Sequence, residues 1–148
     1  MRKGTTGFTV VEIMAVFAVI GIVSAISAPA ASKIMARIRL NAAARRVMGD
    51  LMWARMQAVS EHNEFKVSAV SEYEYEILDD DDNDGKHDGR EWAGVRDLTE
   101  DYSGVTIRFS SSPIFFPRGS ATPGTITLAN KSGSKQVKIH LTGRVKIL

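Results

Sequence analysis

The segment 80–91, DDDNDGKHDGRE, places acidic side chains at a spacing that could hold a divalent cation. It matches the twelve-residue calcium-loop pattern D-x-[DN]-x-[DN]-G-x5-E at every constrained position. The predicted ligands are Asp80, Asp82, Asp84, Lys86 through its carbonyl oxygen, Asp88 and Glu91. Carboxylate and carbonyl oxygens are the ligands that calcium prefers in proteins. The segment therefore predicts a structural Ca²⁺ site, and nothing around it indicates hydrolysis.

Two alternatives remain open for this segment. A shorter register ends at Asp88 and omits Glu91 from the ligand set. The second alternative is a solvated acidic loop without a metal, because aspartate, asparagine and glycine are also common turn formers. The residues before the segment alternate as in a strand, and His87 replaces the aliphatic residue that usually anchors paired loops. We therefore expect a single calcium loop between strands and not a paired EF-hand domain.

Glu12 is the single charged residue in an apolar run of 21 residues, 8–28. As a helix rising about 1.5 Å per residue, the run would span roughly one bilayer core. A carboxylate there is costly unless it is paired or protonated, which predicts a functional role. Arg2 and Lys3 precede the run, so the N-terminus should stay cytoplasmic and the C-terminal domain should be exported. The alternatives are a cleaved secretory signal, which is usually shorter, and a plain anchor, which leaves Glu12 unexplained.

The residues around Glu12 resemble the type IV prepilin signature, a short basic leader ending in Gly, then Phe, with Glu as the fifth residue of the mature chain. Here these are Gly7, Phe8 and Glu12. The resemblance implies that a prepilin peptidase cleaves between Gly7 and Phe8 and that the new Phe8 amine is methylated. It also implies that Glu12 meets the N-terminal ammonium of a neighbouring subunit during filament assembly. Opposite charges attract strongly at low dielectric, and each is costly alone.

The C-terminal part of the chain resembles the GspH/FimT-type minor pseudopilins of the same pilin-like class. The shared features are an F-x-P-x-G step, a G-T-I-T-L strand and a closing G-R-[VI] strand. They are found here at 115–119, 124–128 and 143–145, and the helix segment WARMQAV at 53–59 is also similar. The resemblance covers both ends of the chain and leaves the acidic middle outside.

The charges are segregated along the chain. Residues 72–101 hold 13 of the 17 acids, whereas residues 102–148 hold none but carry seven lysines and arginines. This asymmetry indicates two binding surfaces of opposite charge, or two solvated faces that complement neighbouring subunits. Some FimT-type relatives bind DNA through basic residues near a C-terminal G-R-x-R motif. On that resemblance Arg144 and Lys146 are candidate DNA contacts, and a plain final strand is the alternative.

Hydrophobic periodicity predicts the elements that position these residues. Apolar side chains recur at helical spacing over residues 31–61, which predicts a helix packed on a sheet. The predicted packing face consists of Ile34, Ile38, Met48, Met52, Met56 and Val59, with Leu51 and Trp53 nearby. Pro29 lacks an amide hydrogen and is predicted to bend or break the helix. Alternation then predicts strands beginning near residues 65, 73, 105, 126, 137 and 145, with turns at 128–136 and 141–144.

The predicted fold class is α+β, with a long N-terminal pilin-type helix, transmembrane in its first half, packed on a small antiparallel β-sheet domain. The predicted boundaries are a cleaved leader at 1–7, a transmembrane and filament-core helix at 8–29, and a periplasmic domain at 30–148 with the acidic loop at 79–91. The chain has no cysteine, which excludes disulfides and thiolate metal sites. No clustered nucleophile and base stand out, so an enzyme is not predicted.

Together these features predict a minor pseudopilin of a type II secretion system, at or near the tip of a short periplasmic filament used in protein export. The alternative is a FimT-like minor pilin of a type IV pilus, acting in pilus priming or DNA uptake. The expected location is the bacterial inner membrane, crossed once, with the C-terminal domain in the periplasm. Expected partners are other pseudopilins or pilins, the prepilin peptidase and the membrane, with DNA as a further candidate.

Overall fold

A computed structural model of the chain describes residues 7–80 and 93–148, without the side chains of residues 26–30. The chain divides into two compact units, Met1–Met35 and Ala36–Leu148. One helix and eight strands lie in the described residues, and they confirm the predicted α+β fold class. The predicted domain boundaries, including the leader at 1–7 and the loop at 79–91, stay predictions.

Helix α1 spans Val10–Glu61. Its C-terminal end is a Schellman motif, in which His62 adopts a left-handed backbone with φ of 59° and the Asn63 amide donates to the Ala58 carbonyl oxygen at 3.2 Å. The helix is not broken at Pro29, so that part of the prediction was wrong. A proline removes one backbone hydrogen bond, and the bonds of the flanking turns outweigh this local loss.

The helix face that packs on the sheets is rich in alanine and differs from the predicted one. It consists of Ala36, Leu40, Ala43, Ala44, Val47, Leu51, Ala54 and Ala58. Most of the predicted face is exposed to solvent. The residues concerned are each 44 to 64% exposed: Ile34, Ile38, Met52, Met56 and Val59. Met48 of that face packs partly on the core, as does the nearby Trp53, and the nearby Leu51 is buried. Alanine lets the helix backbone approach the sheets closely, so the large residues that fill the core come mainly from the strands.

The eight strands form two four-stranded antiparallel sheets, where a single small sheet was predicted. The first sheet has the order β3-β2-β1-β5 and contains β1 Glu64–Ala69, β2 Glu74–Asp80, β3 Ala93–Asp97 and β5 Ile114–Phe115. The second has the order β4-β6-β7-β8 and contains β4 Thr106–Phe109, β6 Gly124–Asn130, β7 Gly133–Ile139 and β8 Val145–Ile147. Strands β3 and β5 were not predicted, because both are short and lack a full period of alternation.

The two C-terminal hairpins confirm the predicted turns. Asn130 pairs with Gly133 where β6 turns into β7, and Ile139 pairs with Val145 where β7 turns into β8. Inward alternation buries Ile126, Leu128, Val137 and Ile139. Leu141 lies beyond the end of β7, in the predicted turn, and is 69% exposed.

Aromatic residues fill the core between α1 and the two sheets. Tyr75, Phe65 and Phe115 are the largest fully buried side chains. The Trp53 ring of the helix stands edge-on to Phe65 of β1, with ring centroids 6.1 Å apart and an interplanar angle of 90°. Each such side chain contributes roughly 1.5–3 kcal/mol through burial, so this layer fixes the helix against the first sheet.

Candidate assembly surfaces

Glu12 lies in a shallow apolar groove on the N-terminal part of α1. The groove is lined by Phe8, Ile13, Val16 and Phe17 together with Glu12. The apolar lining residues are 48 to 82% exposed. A carboxylate is thus presented on an otherwise apolar helix surface, which is the arrangement that the prepilin resemblance requires.

Glu12 also belongs to the N-cap of the helix. Its backbone amide donates to the Thr9 hydroxyl oxygen at 3.3 Å and to the Thr9 carbonyl oxygen at 3.1 Å. Thr9 and Glu12 therefore occupy the Ncap and N3 positions of a T-x-x-E capping box. The positive end of the helix dipole also stabilises a carboxylate at N3. The sequence analysis missed this role, although threonine followed three residues later by glutamate signals it.

Further exposed apolar side chains lie on both sides of Glu12 along the helix. Val10, Val11, Met14, Val19, Ile20, Ile22 and Val23 are 53 to 75% exposed. In the described residues, no helix combines the length and the apolar character that crossing a membrane requires. An exposed apolar surface of this extent usually marks a protein–protein or membrane interaction site.

A second exposed apolar patch lies on the outward side of α1 within Ala36–Leu148. Met52, Met56 and Val59 are 44 to 64% exposed and line a shallow groove with Arg55 and Ser60. Methionine side chains are flexible and polarisable, which suits a contact surface. We call Met52, Met56 and Val59 the outer stripe.

Arg55 connects the helix to two turns of the C-terminal region. Its Nε donates to the Gly119 carbonyl oxygen at 2.9 Å, and its Nη2 donates to the Thr142 carbonyl oxygen at 3.4 Å. Gly119 and Gly143 have φ angles of 79° and 73°, which glycine adopts without strain. A Cβ atom at Gly143 would collide with the Gly119 carbonyl oxygen and approach Arg55 Nε. The glycine of the G-R-[VI] motif thus makes room for Arg55 and the Gly119 carbonyl, whereas Gly119 of the F-x-P-x-G motif is required by its backbone conformation.

Asp50 is the centre of a polar cluster between the helix and the first sheet. The Tyr75 hydroxyl donates to Asp50 Oδ2 at 2.6 Å, and Arg46 Nε lies 3.2 Å from the same oxygen. Arg96 Nε of β3 lies 3.7 Å from it. Burial and the hydrogen bond to Asp50 raise the pKa of Tyr75 well above its ordinary value, and the Asp50 charge raises the pKa of Arg46. Arg46 and Asp50 stand four residues apart on the helix, but no spacing in the sequence links them to Tyr75 and Arg96.

The structure describes one of the six predicted metal ligands. Asp80 is buried at the end of β2, directly opposite Glu64 of β1. Burial and the nearby Asp80 charge raise the pKa of Glu64. Asp82, Asp84, Lys86, Asp88 and Glu91 lie outside the described residues. Among 7–80 and 93–148, no group of three or more His, Cys, Asp or Glu side chains is arranged to hold a metal.

The candidate DNA contacts Arg144 and Lys146 are both exposed, next to and within β8. The Arg144 carbonyl oxygen accepts a hydrogen bond from the His140 amide at 2.9 Å, and Lys146 pairs with Lys138 of β7. Both side chains are thus available to an anion on the second sheet. The processing residues Gly7 and Phe8 precede the first turn of α1, and Phe8 is 82% exposed.

The sequence model of the family described as Type II transport protein GspH matches residues 43–143, which is 101 of the 148 residues. The chain belongs to the GspH family. The matched region contains Arg55, Gly119 and Gly143, and Glu12 lies before it. No curated protein matches the chain significantly.

Solved structures of pilin-like proteins share the fold of this GspH-family chain. The minor pseudopilin EpsH from the type 2 secretion system of Vibrio cholerae has a TM-score of 0.58 and 17% identity, covering 74% of this chain and 96% of EpsH. The type IV minor pilin FimU of Pseudomonas aeruginosa has a TM-score of 0.60 and 18% identity, covering 76% of this chain and 90% of FimU. At such low identity the likeness shows the fold alone.

Membership of the GspH family carries a general role. GspH pseudopilins are structural subunits that associate with other pseudopilins or pilins in a filament, and they are not enzymes. The predicted family, the filament role and the absence of an enzymatic function are therefore confirmed. An assembly subunit acts through its surfaces. Its candidate functional sites are therefore Glu12, the outer stripe and the exposed charged residues.

Proposed function

We propose that the chain is a minor pseudopilin of a type II secretion system, placed at or near the tip of a short periplasmic filament used in protein export. The match to the GspH model over 101 residues is the observation that carries this proposal. The fold shared with EpsH, a minor pseudopilin of a type 2 secretion system, supports it. The filament tip would act on exported proteins by contact and movement and would need no catalytic group.

The N-terminal segment supports a route into such a filament. The prepilin peptidase would cut between Gly7 and Phe8 on the cytoplasmic side, and the new Phe8 amine would be methylated. The apolar run 8–28 would then anchor the subunit in the bacterial inner membrane, with the domain that follows it in the periplasm. The 82% exposure of Phe8 agrees with a cleavage site that the peptidase can reach.

Glu12 would guide the subunit from the membrane into the filament. In its groove the carboxylate is surrounded by exposed apolar side chains, where an unpaired charge is costly. The N-terminal ammonium of a neighbouring subunit would neutralise it, and the attraction is strong because water is excluded. Pairing fixes the axial register between two helices, and the apolar residues around Glu12 then pack together.

A second candidate is a minor pilin of a type IV pilus. The fold shared with the type IV minor pilin FimU, with a TM-score of 0.60, favours it. In that case Arg144 and Lys146 would contact DNA phosphates during pilus priming or DNA uptake. Binding of duplex DNA would then weaken steeply with salt and on replacement of both residues.

We also propose that the acidic segment binds one structural Ca²⁺ ion. Asp80, Asp82, Asp84, Asp88 and Glu91 would supply carboxylate oxygens, and Lys86 its carbonyl oxygen. The opposed carboxylates of Asp80 and Glu64 support this, because their mutual repulsion is relieved by a nearby cation. The ion would order the connection between β2 and β3 and would supply no reaction chemistry.

The experiment that separates the two filament systems is a cross-linked capture of the full-length, affinity-tagged chain from its native membranes, followed by mass spectrometry. Recovery of a type II major pseudopilin with its platform proteins supports the proposal. Recovery of a type IV major pilin instead overturns it in favour of the second candidate. A Glu12→Ala chain is the matched control, because contacts that depend on assembly should be lost from it.

A further inference from the structure

The second sheet presents a basic surface to solvent. Alternation along β6 and β7 points Ile126, Leu128, Val137 and Ile139 toward the core, so the residues between them face outward. Four exposed cations lie on this outward side or at its β7–β8 turn, and we call them the basic face: Arg108, Lys138, Arg144 and Lys146. Arg108 of β4 pairs with Thr127, which places it on the same side of the sheet.

Two of these cations oppose each other directly. Lys138 of β7 and Lys146 of β8 are register partners in an antiparallel pair. Like charges directly opposite on neighbouring strands destabilise a sheet. His140 and Arg144 face each other one step along the same pair of strands. The fold thus holds two like charges opposite each other, at a cost to its own stability.

No carboxylate of the same region neutralises these charges. Residues 102–148 contain no Asp or Glu. Among the described residues, the ion pairs of Asp50 with Arg46 and Arg96 do not involve the basic face. An anion from another molecule would relieve the repulsion between Lys138 and Lys146, and the basic face is built to receive one.

The features of the face favour a protein over a nucleic acid. The described residues that surround the four cations on the outward side are Thr125, Thr127, Gln136 and His140, which offer hydrogen bonds but no aromatic stacking platform of the kind that binds single strands. Filaments are built from heterologous contacts, in which one surface of a subunit meets a different surface of the next. The chain itself shows such opposed surfaces, because Glu72, Asp97, Glu100 and Asp101 are exposed on its acidic part.

We propose that the basic face is the docking surface for an acidic surface of a neighbouring filament subunit, with Lys138 and Lys146 each paired to a carboxylate of that neighbour. The inference rests on the filament role of the GspH family. It holds for either filament system, the type II secretion system or the type IV pilus. Because the contact is electrostatic, it sets the orientation and the rate of docking and weakens as salt rises.

A carbodiimide tests this contact, because it joins a lysine amine directly to a carboxylate that touches it. The reaction is run on native membranes that contain the full-length chain, and the linked peptides are identified by mass spectrometry. We expect links from Lys138 or Lys146 to Asp or Glu of another filament subunit. In a Lys138→Arg, Lys146→Arg chain these links should vanish while capture of the neighbour persists.

Charge reversal separates docking from folding. Lys138→Glu with Lys146→Glu keeps a like-charge pair on the sheet, so the melting temperature should stay close to that of the parent chain. Capture of the neighbour should fall at least about tenfold, since like charges then face each other across the contact. Lys138→Glu alone creates a cross-strand ion pair and should raise the melting temperature while it weakens capture. The matched control is Lys131→Glu with Lys135→Glu, which changes the net charge equally away from the face.

Three results would overturn the inference. One is unchanged capture in the doubly reversed chain without links to Lys138 or Lys146. Another is an equal loss of capture in the control chain, which would assign the effect to net charge. The third is duplex DNA binding that is lost on reversal while subunit contacts stay intact, which would assign the face to nucleic acid. Capture of type IV instead of type II subunits would refute only the proposed system.

Discussion

Arg55 Nε donates a hydrogen bond to the Gly119 carbonyl oxygen at 2.9 Å, across 64 residues of sequence. The same guanidinium reaches the Thr142 carbonyl oxygen. One side chain of α1 thus holds two turns of the C-terminal region, and the glycine at 143 leaves the space for it. The glycine of the closing G-R-[VI] motif therefore has a role in folding that does not depend on DNA.

Replacing Arg55 with Ala should destabilise Ala36–Leu148 by about 1.5–3 kcal/mol, because two carbonyl oxygens lose a charged donor. Gly143→Ala should destabilise it more, since the new Cβ strains the backbone and collides with the Gly119 carbonyl. Urea denaturation gives both values. Gly104→Ala is the control for backbone strain alone, because Gly104 has a φ of 80° and no atom within 4 Å of the added Cβ. Equal losses at 104 and 143 would refute the role of the collision.

Tyr75 should make the domain sensitive to alkali. Its pKa is raised by burial and by Asp50, so the folded state keeps the proton longer than the unfolded chain. The resulting stabilisation is complete below the ordinary tyrosine pKa and is lost as the pH rises above it. Urea midpoints at about pH 8 and about pH 11 should therefore differ more in the parent chain than in Tyr75→Phe. Tyr73→Phe, at a tyrosine that is 40% exposed, should behave like the parent.

Glu12→Ala should leave leader cleavage intact and block incorporation into filaments. The reason is that the N-terminal ammonium of a neighbouring subunit then has no carboxylate to meet, whereas the cleavage step lies at 7–8. Membrane fractionation and filament shearing measure the two steps separately. Thr9→Val is the matched control, because it removes the cap hydroxyl and keeps the charge. If Thr9→Val blocks incorporation as fully as Glu12→Ala, the role of Glu12 is helix capping and the assembly assignment fails.

Calcium should bind the acidic segment and stabilise the domain by about 2.7 kcal/mol at a free concentration one hundred times Kd. Without metal, the pKa of Glu64 is higher in the folded chain than in the unfolded chain. The free energy of unfolding should therefore fall as the pH rises above the ordinary glutamate pKa. Calcium should reduce this fall. Titration calorimetry and melting curves test both effects.

Asp82→Asn with Asp84→Asn should abolish the calorimetric heat and the melting shift. Asp97→Asn with Glu100→Gln removes two acids elsewhere and should preserve both signals. The absence of heat from the parent chain would remove the metal proposal.

The outer stripe should serve assembly and not folding. Met52→Gln with Met56→Gln should change the stability by no more than about 0.5 kcal/mol, because both side chains are at least half exposed. Incorporation into filaments should decrease, since an apolar contact is lost. Leu51→Ala is the contrasting change and should cost about 2–5 kcal/mol, because Leu51 is buried in the core. A large loss of stability in the double glutamine chain would contradict the assignment.

The predictions from sequence succeeded where spacing carries the signal. Alternation at 126, 128, 137 and 139 identified the inward side of β6 and β7, and the loss of helical period located the end of α1. The helix face was mostly wrong, because alanine has little weight in a hydrophobic pattern and the larger Ile34, Met52 and Met56 compete at the same period. Here the small residues face the sheets, since close backbone approach is what lets the strands fill the core.

The candidate functional residues, like the fold, could be predicted only where the local sequence carries the signal. Glu12 stood out because it interrupts an apolar run, and Lys146 because of the motif around it. Apart from the Arg46–Asp50 pair, the Asp50 cluster and the Arg55 bonds join residues that are 25 to 87 positions apart, and no local pattern encodes such contacts. The opposition of Lys138 and Lys146 becomes visible only when the register of β7 and β8 is known.

Leu78 of β2 and Ala93 of β3 are register partners, so the chain leaves and re-enters the first sheet at neighbouring points. Extending a connection whose ends are already held together adds little entropy loss, because loop closure depends only weakly on length. The sheet can therefore accept a longer or shorter connection at this point without a change in its strand order. A fluorescent or affinity label inserted after Glu91 would keep the spacing of the predicted calcium ligands, and a single subunit could then be followed in the living cell.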